Sequence, residues 1–305
     1  MKLGAIIQFS ILYASLVGGF LQFSPNQPIH STIQKTWNQF KLEATSNSFV
    51  VLDVEEGLKV DASKGFCEVE PLPTLNNKYY ALRHGQSLAN LEGIISSDPL
   101  IGTTMHGLTS NGKAQARSAA VPLLAQIGSQ GITYEDLVFI SSNFTRARET
   151  AIETIAAIER IIEFEEEPKA TDLPPETDPK PHIIPVSIHN GLRERYFGEL
   201  DGTVLSNYNK VWPADLENGM TANFNVECVN EVCQRIRSTV LEIEEQYSDK
   251  CIVLVSHADT IQIMQCYIAG VDPRVFSQYR FKNAEVRPLL QDPSSLPSPK
   301  PLSYN

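Results

Sequence analysis

An apolar run in the sequence stops abruptly at an arginine, a histidine and a glycine, Arg83-His84-Gly85. Polar residues also follow two later apolar runs: residues 141–146 after one, and Ser256-His257 after the other. If these runs are parallel strands, their carboxyl ends meet in one crevice, where helix N-termini attract anions. Arginine offers forked donors to phosphate oxygens. Since Arg83 and Arg146 would meet two histidines there, the pattern predicts a phosphate pocket.

The residue types in this predicted pocket indicate how it would handle a phosphoryl group. No cluster of acidic residues or metal-ligand spacing accompanies them, so protein cations would neutralise the phosphoryl charge, and we expect no metal or other cofactor. A neutral imidazole is a nucleophile, which gives that role to His84. A leaving alkoxide needs a proton donor, for which we favour Glu194, with Glu199 and Asp201 as alternatives nearby.

The elements that must position these residues alternate along the chain. Apolar runs indicate strands and helical spacing indicates helices, which predicts an α/β fold with a mostly parallel sheet covered on both faces. A further strand is predicted before the main domain, at 47–54. The other predicted strands are 78–82, 137–141 and 251–255, and the predicted helices are 111–127, 145–162, 227–247 and 259–269.

The sequence divides into four predicted segments, one of which carries an insertion. Residues 1–23 form a signal-like targeting segment, with a membrane anchor as the alternative, because Lys2 precedes a mostly apolar run. Residues 24–77 are a possible transit segment and N-terminal extension, and no Asp or Glu precedes Glu43. The catalytic domain is predicted at 78–289, with an acidic, proline-rich insertion at 163–180 and a disordered tail at 290–305.

Composition limits the partners and the compartment. The net charge of -11 argues against nucleic acid and against an anionic membrane surface, so we expect a small phosphorylated substrate and a mature form that is not embedded in a membrane. The five cysteines fit neither a zinc pattern nor a disulfide framework. A glycan on Asn143, the sequon residue, would obstruct the pocket. These features favour a plastid or mitochondrion over the secretory pathway or cytoplasm, and they leave the oligomeric state open.

Four motifs occur in an order that resembles the histidine phosphatase superfamily, in its phosphoglycerate mutase-like branch. They are RHGQSLAN, SSNFTRARET, LRERYFGELDG and VLVSHAD. The resemblance implies a three-layer αβα sandwich, phosphohistidine formation at His84 and proton donation by Glu194. It implies a further catalytic and phosphate-binding role for His257. The other phosphate-binding residues that it implies are Arg83, Asn90 and Arg146.

The sequence departs from the family pattern in ways that bear on the reaction. Gln86 replaces a frequent glutamate, and the following stretch lacks the Gly-Trp pattern of the glycolytic mutases. Ala258 stands where glycine is frequent, and Val-Glu-Cys at 226–228 stands where Gly-Glu-Ser is usual. The expected function is therefore a metal-independent phosphatase that acts through a phosphohistidine. The alternatives are mutase-type phosphoryl transfer and a catalytically idle protein that binds a phosphorylated ligand.

Overall fold

A computed structural model of the chain describes residues 69–166 and 184–301. The targeting segment, the predicted strand at 47–54 and most of the acidic insertion lie outside the described residues. Five strands form one sheet: β1 Lys78–Arg83, β2 Leu137–Ser141, β3 Val186–Ile188, β4 Cys251–Ser256 and β5 Val286–Leu289. The helices are α1 Leu88–Glu92, α2 Pro99–Gly102, α3 Ser110–Ser118, α4 Ala120–Ser129, α5 Thr145–Glu166, α6 Trp212–Glu217, α7 Val229–Gln246 and α8 Ala258–Ile268.

The sheet has the strand order β3-β2-β4-β1-β5. Strands β1 to β4 are parallel, and β5 pairs with β1 in the antiparallel direction. The central strand β4 is buried at every position, which explains its uninterrupted apolar sequence. The predicted α/β fold with a mostly parallel sheet is therefore confirmed.

Alternate residues of the strands supply two separate hydrophobic cores. On one face Ala81, Ile252 and Leu254 pack in a core with residues of α7 and α8. On the other face Leu82 and Val253 pack with residues of α4 and α5. Because side chains alternate between the faces of a strand, a continuous apolar run fills both cores. The three-layer αβα arrangement follows from these two cores.

Several predicted boundaries differ from the structure for local reasons. The helix predicted at 111–127 is two helices that meet at Ala119, because Pro122 has no N–H to donate to the preceding turn. Helix α5 continues into the first four residues of the predicted insertion. The sequence analysis did not predict the short edge strands β3 and β5. Strand β5 contains Pro288, which an edge strand tolerates.

The regions on either side of the predicted domain pack against it. Val69 is buried in the core beside α7 and α8, and Leu296 packs against the same core. The side-chain amide oxygen of Gln291 accepts from the Leu75 N–H at 3.0 Å. Residues 290–301 were predicted to be disordered, but they have defined contacts because they cover apolar surface.

Two further properties of the described part of the chain are relevant to the predictions. In residues 69–166 and 184–301, none of the helices is both long and apolar enough to cross a membrane. Four cysteines fall within these ranges, and all four are buried free thiols: Cys228, Cys233, Cys251 and Cys266.

Candidate active site

His84 lies directly after β1, and its backbone N–H donates to the carbonyl of Ser256 at the end of β4 at 3.0 Å. The imidazole is only 3% exposed. Its Nδ1 lies 2.7 Å from the Gly85 carbonyl oxygen, which can only accept, so Nδ1 carries the proton. Burial and the nearby Arg146 and Arg83 hold the pKa of His84 well below its ordinary value. The ring is therefore neutral at pH 7, with a free electron pair on Nε2.

Arg146 links the two histidines of the site. It is the second residue of α5, and its Nε donates to Nε2 of His84 at 3.3 Å and to Nδ1 of His257 at 3.1 Å. The rest of the guanidinium donates to Ser96, with the carbonyl oxygen at 2.8 Å and Oγ at 3.3 Å. Burial lowers the pKa of Arg146 to about 10, so it remains charged at neutral pH. One buried cation thus faces both imidazoles.

His257 completes this side of the site from the end of β4. Because its Nδ1 accepts from Arg146, its Nε2 carries the proton and donates to Ser142 Oγ at 2.8 Å. The ring is fully buried and packs edge-on against Phe144, with centroids 5.0 Å apart. Burial and Arg146 hold the pKa of His257 well below its ordinary value. Its tautomer and orientation are therefore fixed by neighbours on α5 and in the loop before it.

Arg83 supplies a second cation. Its NH1 donates to the Phe281 carbonyl at 2.7 Å. Within residues 69–166 and 184–301, its buried Nε has no hydrogen-bond partner. A buried donor without a partner is unfavourable in free energy, and an oxygen of a bound phosphoryl group would satisfy it. Burial lowers the pKa of Arg83, and the Glu194 carboxylate opposes that shift.

Asn90 belongs to the capping box at the start of α1, and its hydrogen bonds connect it to the pocket only indirectly. Its Oδ1 accepts from the Ser87 N–H at 3.2 Å and from Asn283 Nδ2 at 3.3 Å. The same Asn283 amide donates to the His84 carbonyl at 3.1 Å. The structure therefore connects Asn90 to the loop that carries His84, and among the described residues Asn90 makes no hydrogen bond with a pocket arginine or with an imidazole ring.

The side chain of Glu194 is buried. Its Oε1 accepts from the Arg195 N–H at 2.9 Å and from the Thr260 N–H and hydroxyl, both at 3.3 Å. Its charge opposes the lowering of the Arg83 and Arg146 pKa values by burial, and the charge of Asp201 also opposes the shift of Arg146.

The two alternative acids have other environments. Glu199 is exposed and accepts from Asn225 at 2.8 Å. Asp201 accepts from the Ser97 hydroxyl at 2.7 Å and from the Asp98 N–H at 3.1 Å, so it organises the 97–98 turn. Of the three acids, Glu194 is the buried one, and it remains the predicted proton donor.

Ion pairs, of which the Arg195–Asp215 pair is fully buried, hold the acid loop, which we define as residues 191–202. The Glu227 carboxylate accepts two hydrogen bonds from Arg193, both at 2.8 Å, and a further one from Arg235 at 2.8 Å. Although burial opposes it, Arg235 and Arg193 lower the pKa of Glu227 to about 2. Arg195 binds Asp215 with two contacts of 2.7 Å. These pairs fix the backbone on both sides of Glu194.

Sequence comparison identifies the family to which this site belongs. The chain matches the histidine phosphatase superfamily (branch 1) over residues 79–172 and 178–295. The chain belongs to this superfamily. The match confirms the assignment to an enzyme family of the histidine phosphatase type. No curated protein sequence matches the chain closely enough to count as a relative.

Solved structures share the histidine phosphatase fold with the chain. A structure named mycobacterial hydrolase 1 has a TM-score of 0.51 and 20% identity, and covers 70% of this chain and 90% of its own. Mycobacterial glucosyl-3-phosphoglycerate phosphatase has a TM-score of 0.51 and 19% identity, and covers 72% of this chain and 94% of its own. A complex of that enzyme with VO3 has a TM-score of 0.51 and 20% identity, with 70% and 90% coverage.

Several residues at this histidine phosphatase site were not singled out by the sequence analysis. Ser142 lies in the motif SSNFTRARET together with Arg146, so the sequence could have indicated that it belongs to the site. Ser96 lies in a loop without any motif.

A stacked aromatic pair also lies near a second buried acid. The Tyr208 ring stacks on Trp212 at 4.7 Å, and Trp212 donates to Asp259 at 3.1 Å. Burial raises the pKa of Asp259 to about 7. The aromatic pair is thus packed against a second buried acid.

Proposed function

We propose that this histidine phosphatase superfamily member hydrolyses a phosphomonoester through a phosphohistidine on His84, without a metal. The proposal rests on one arrangement: Arg146 Nε faces both His84 Nε2 and His257 Nδ1, while His84 Nδ1 is held by the Gly85 carbonyl. A neutral nucleophile thus lies beside a fixed cation that can bind the phosphoryl oxygens.

In the first half-reaction His84 Nε2 attacks phosphorus, and the bond from phosphorus to the ester oxygen breaks. The electron pair of that bond goes to the leaving oxygen, which takes a proton from Glu194. The charge on the phosphoryl oxygens is balanced by Arg83 and Arg146. The products of this step are the free alcohol and phosphohistidine.

In the second half-reaction water attacks the phosphorus of phosphohistidine. The Glu194 carboxylate takes a proton from this water, so the same residue serves as acid and then as base. The bond from phosphorus to nitrogen breaks, and its electron pair returns to His84 Nε2. Inorganic phosphate leaves, and the site regains its starting protonation.

The charge of the segments around the site favours hydrolysis over mutase-type transfer. Segments 86–108 and 196–226 approach the pocket through Ser96, which binds Arg146, and through Phe197, whose N–H donates to Ser97 Oγ at 2.9 Å. Lys210 is the only lysine or arginine in these segments. A mutase must hold a bisphosphorylated intermediate, and each additional anionic group requires cationic partners. We therefore favour a substrate that presents one phosphomonoester and a leaving group without a second phosphate.

The nucleophile is tested by phosphoryl labelling. Brief mixing with a labelled substrate should leave an acid-labile, base-stable phosphoryl group on the wild type and none on His84→Ala, which should also lose turnover. Activity that persists in His84→Ala, or that disappears with a chelator and returns with magnesium, would refute the mechanism. Binding of vanadate without any turnover would instead support the idle phospho-ligand binding protein.

The acid is tested with two leaving groups. Nitrophenolate leaves without a proton, so Glu194→Gln should spare the first half-reaction with p-nitrophenyl phosphate and slow the second, which gives a burst about equal to the enzyme concentration. With an alkyl phosphate the same variant should lose the burst. Glu199→Gln is the matched control and should behave as the wild type. Interconversion of 2- and 3-phosphoglycerate much faster than phosphate release would support the mutase.

We also propose that the N-terminal segment directs the chain to a plastid or mitochondrion. The support is the sequence of residues 1–46: an apolar run after Lys2, then Ser, Thr, Gln and Lys with no acidic residue before Glu43. Residues 1–46 fused to a fluorescent reporter should leave the cytosol, while a fragment that begins at 47 should stay there. A glycan on Asn143 of active protein would contradict this destination.

A further inference from the structure

His106 lies beside the phosphate pocket, although its sequence context indicates an ordinary polar residue. Its Nδ1 is 2.9 Å from Ser96 Oγ. The same Oγ accepts from Arg146 NH1 at 3.3 Å, and the Ser96 carbonyl accepts from Arg146 NH2 at 2.8 Å. A continuous chain of hydrogen bonds therefore runs from His106 through Ser96 to the cation that faces His84 and His257.

The backbone at His106 is held in an unfavourable conformation. Its φ is 54°, in the left-handed region that favours glycine. The loop is fixed on both sides of His106: the Met105 N–H donates to the Ile101 carbonyl at 2.8 Å, and the Leu88 N–H donates to the Gly107 carbonyl at 3.0 Å. Strained residues of this kind persist where surrounding contacts fix them, and they cluster at functional sites.

The hydroxyl of Ser96 has one proton, so it can donate only one of the hydrogen bonds in this series. If the hydroxyl donates to a neutral His106 at Nδ1, the lone pairs of Oγ remain for Arg146 NH1. The hydroxyl cannot then rotate to point its proton at the guanidinium. His106 thus sets the orientation of Ser96, and Ser96 sets the orientation of Arg146.

We propose that His106 is a positioning residue that holds the phosphate-binding Arg146 through Ser96. This inference rests on the proposed function of the site, since it assigns Arg146 to the phosphoryl group. His106 itself need not contact the substrate. The half-buried imidazole lies at the edge of the site, where solvent reaches it.

The main test is His106→Gly, which removes the imidazole and suits the local backbone. The variant should fold with an unchanged or higher Tm, because glycine adopts a positive φ without strain. Its kcat/KM for p-nitrophenyl phosphate should fall about tenfold, and vanadate should bind about tenfold more weakly, as expected for one lost hydrogen bond. Added imidazole should restore both. His106→Asn, which tolerates this backbone and keeps an acceptor, should retain more activity than His106→Gly.

Two comparisons separate positioning from a purely structural effect. Asp249→Gly is the matched control, because Asp249 is an exposed residue with a φ of 57°; it should keep wild-type activity. Ser96→Ala should lose about as much as His106→Gly, and the double variant should lose no more than either single variant, because both act on the same contact.

The inference is overturned if His106→Gly keeps wild-type kcat/KM and vanadate affinity, if imidazole does not restore a defective variant, or if the two single losses multiply in the double variant. Vanadate binding measured by calorimetry does not require turnover. A wild type that binds vanadate but hydrolyses no ester would therefore refute the proposed function, while the His106 comparison would still be decided by binding.

Discussion

Replacing Arg146 with lysine keeps a positive charge in the pocket but removes the planar, forked donor. In the wild type one Nε–H is shared by two imidazole nitrogens, and the two terminal nitrogens donate to Ser96. A lysine ammonium is a single point of donors on a flexible chain, so it cannot contact Ser96 and both histidines together. Arg146→Lys therefore tests geometry separately from charge.

The expected loss in kcat follows from the number of hydrogen bonds that depend on the forked donors of the guanidinium. Removal of one preorganised donor from a site that stabilises developing negative charge costs about 10²- to 10³-fold in kcat. We expect Arg146→Lys to lie in this range, since the charge remains but the donors are misplaced. The free energy of unfolding should fall by about 1–3 kcal/mol, because a buried site loses hydrogen bonds.

The assay compares kcat and KM for p-nitrophenyl phosphate with urea unfolding of the same samples. The matched control is Arg148→Lys, on the same helix α5. Arg148 donates to the Thr103 carbonyl at 3.1 Å and to Thr145 at 3.4 Å, and in the described part of the chain it makes no hydrogen bond with either pocket histidine. Its kcat should remain within about threefold of the wild type.

Either of two results would refute the reasoning about Arg146. The first is an Arg146→Lys variant with nearly wild-type kcat, which would mean that charge alone suffices. The second is an equal loss in Arg148→Lys, which would mean that any change in α5 disturbs the site. A large loss in kcat with a small loss in stability, confined to Arg146, supports the assigned role.

Two further predictions concern stability. Burial and Arg146 hold the pKa values of His84 and His257 well below 6.5. Below pH 6.5 the unfolded state therefore binds more protons than the folded state. As the pH falls further, each histidine lowers the free energy of unfolding by about 1.4 kcal/mol per pH unit. Asp259, whose pKa burial raises to about 7, and Asp215, whose pKa burial also raises, gain stability as the pH falls and oppose this decline. Urea unfolding at falling pH should therefore show a steeper decline in Asp259→Asn than in the wild type, and equal slopes would contradict this. Gly85→Ala should destabilise the fold by about 1–3 kcal/mol, because the new Cβ would lie 2.4 Å from a carbonyl oxygen of α3. Gly128→Ala, with nothing within 4 Å, is its control in thermal unfolding.

The sequence by itself determined the centre of the fold and the core of the site. A continuous apolar run such as Cys251–Ser256 predicts a strand buried on both faces, and parallel strands bring their carboxyl ends together. His84, Arg146 and His257 follow three such strands, so their meeting needed only this rule. Their hydrogen bonds through one guanidinium confirm that they meet.

Only the tertiary structure shows how the environments of the three candidate acids differ and what holds the cation. Glu194, Glu199 and Asp201 lie within one short loop, and local sequence cannot separate them, because their hydrogen-bond partners, such as Thr260 for Glu194, lie on other elements. Ser96 and His106 likewise lie in a loop without periodicity. Ser96 contacts Arg146 of α5, which is distant in sequence, and His106 reaches Arg146 only through Ser96. Such contacts follow from the packing of whole elements rather than from the pattern of neighbouring residues.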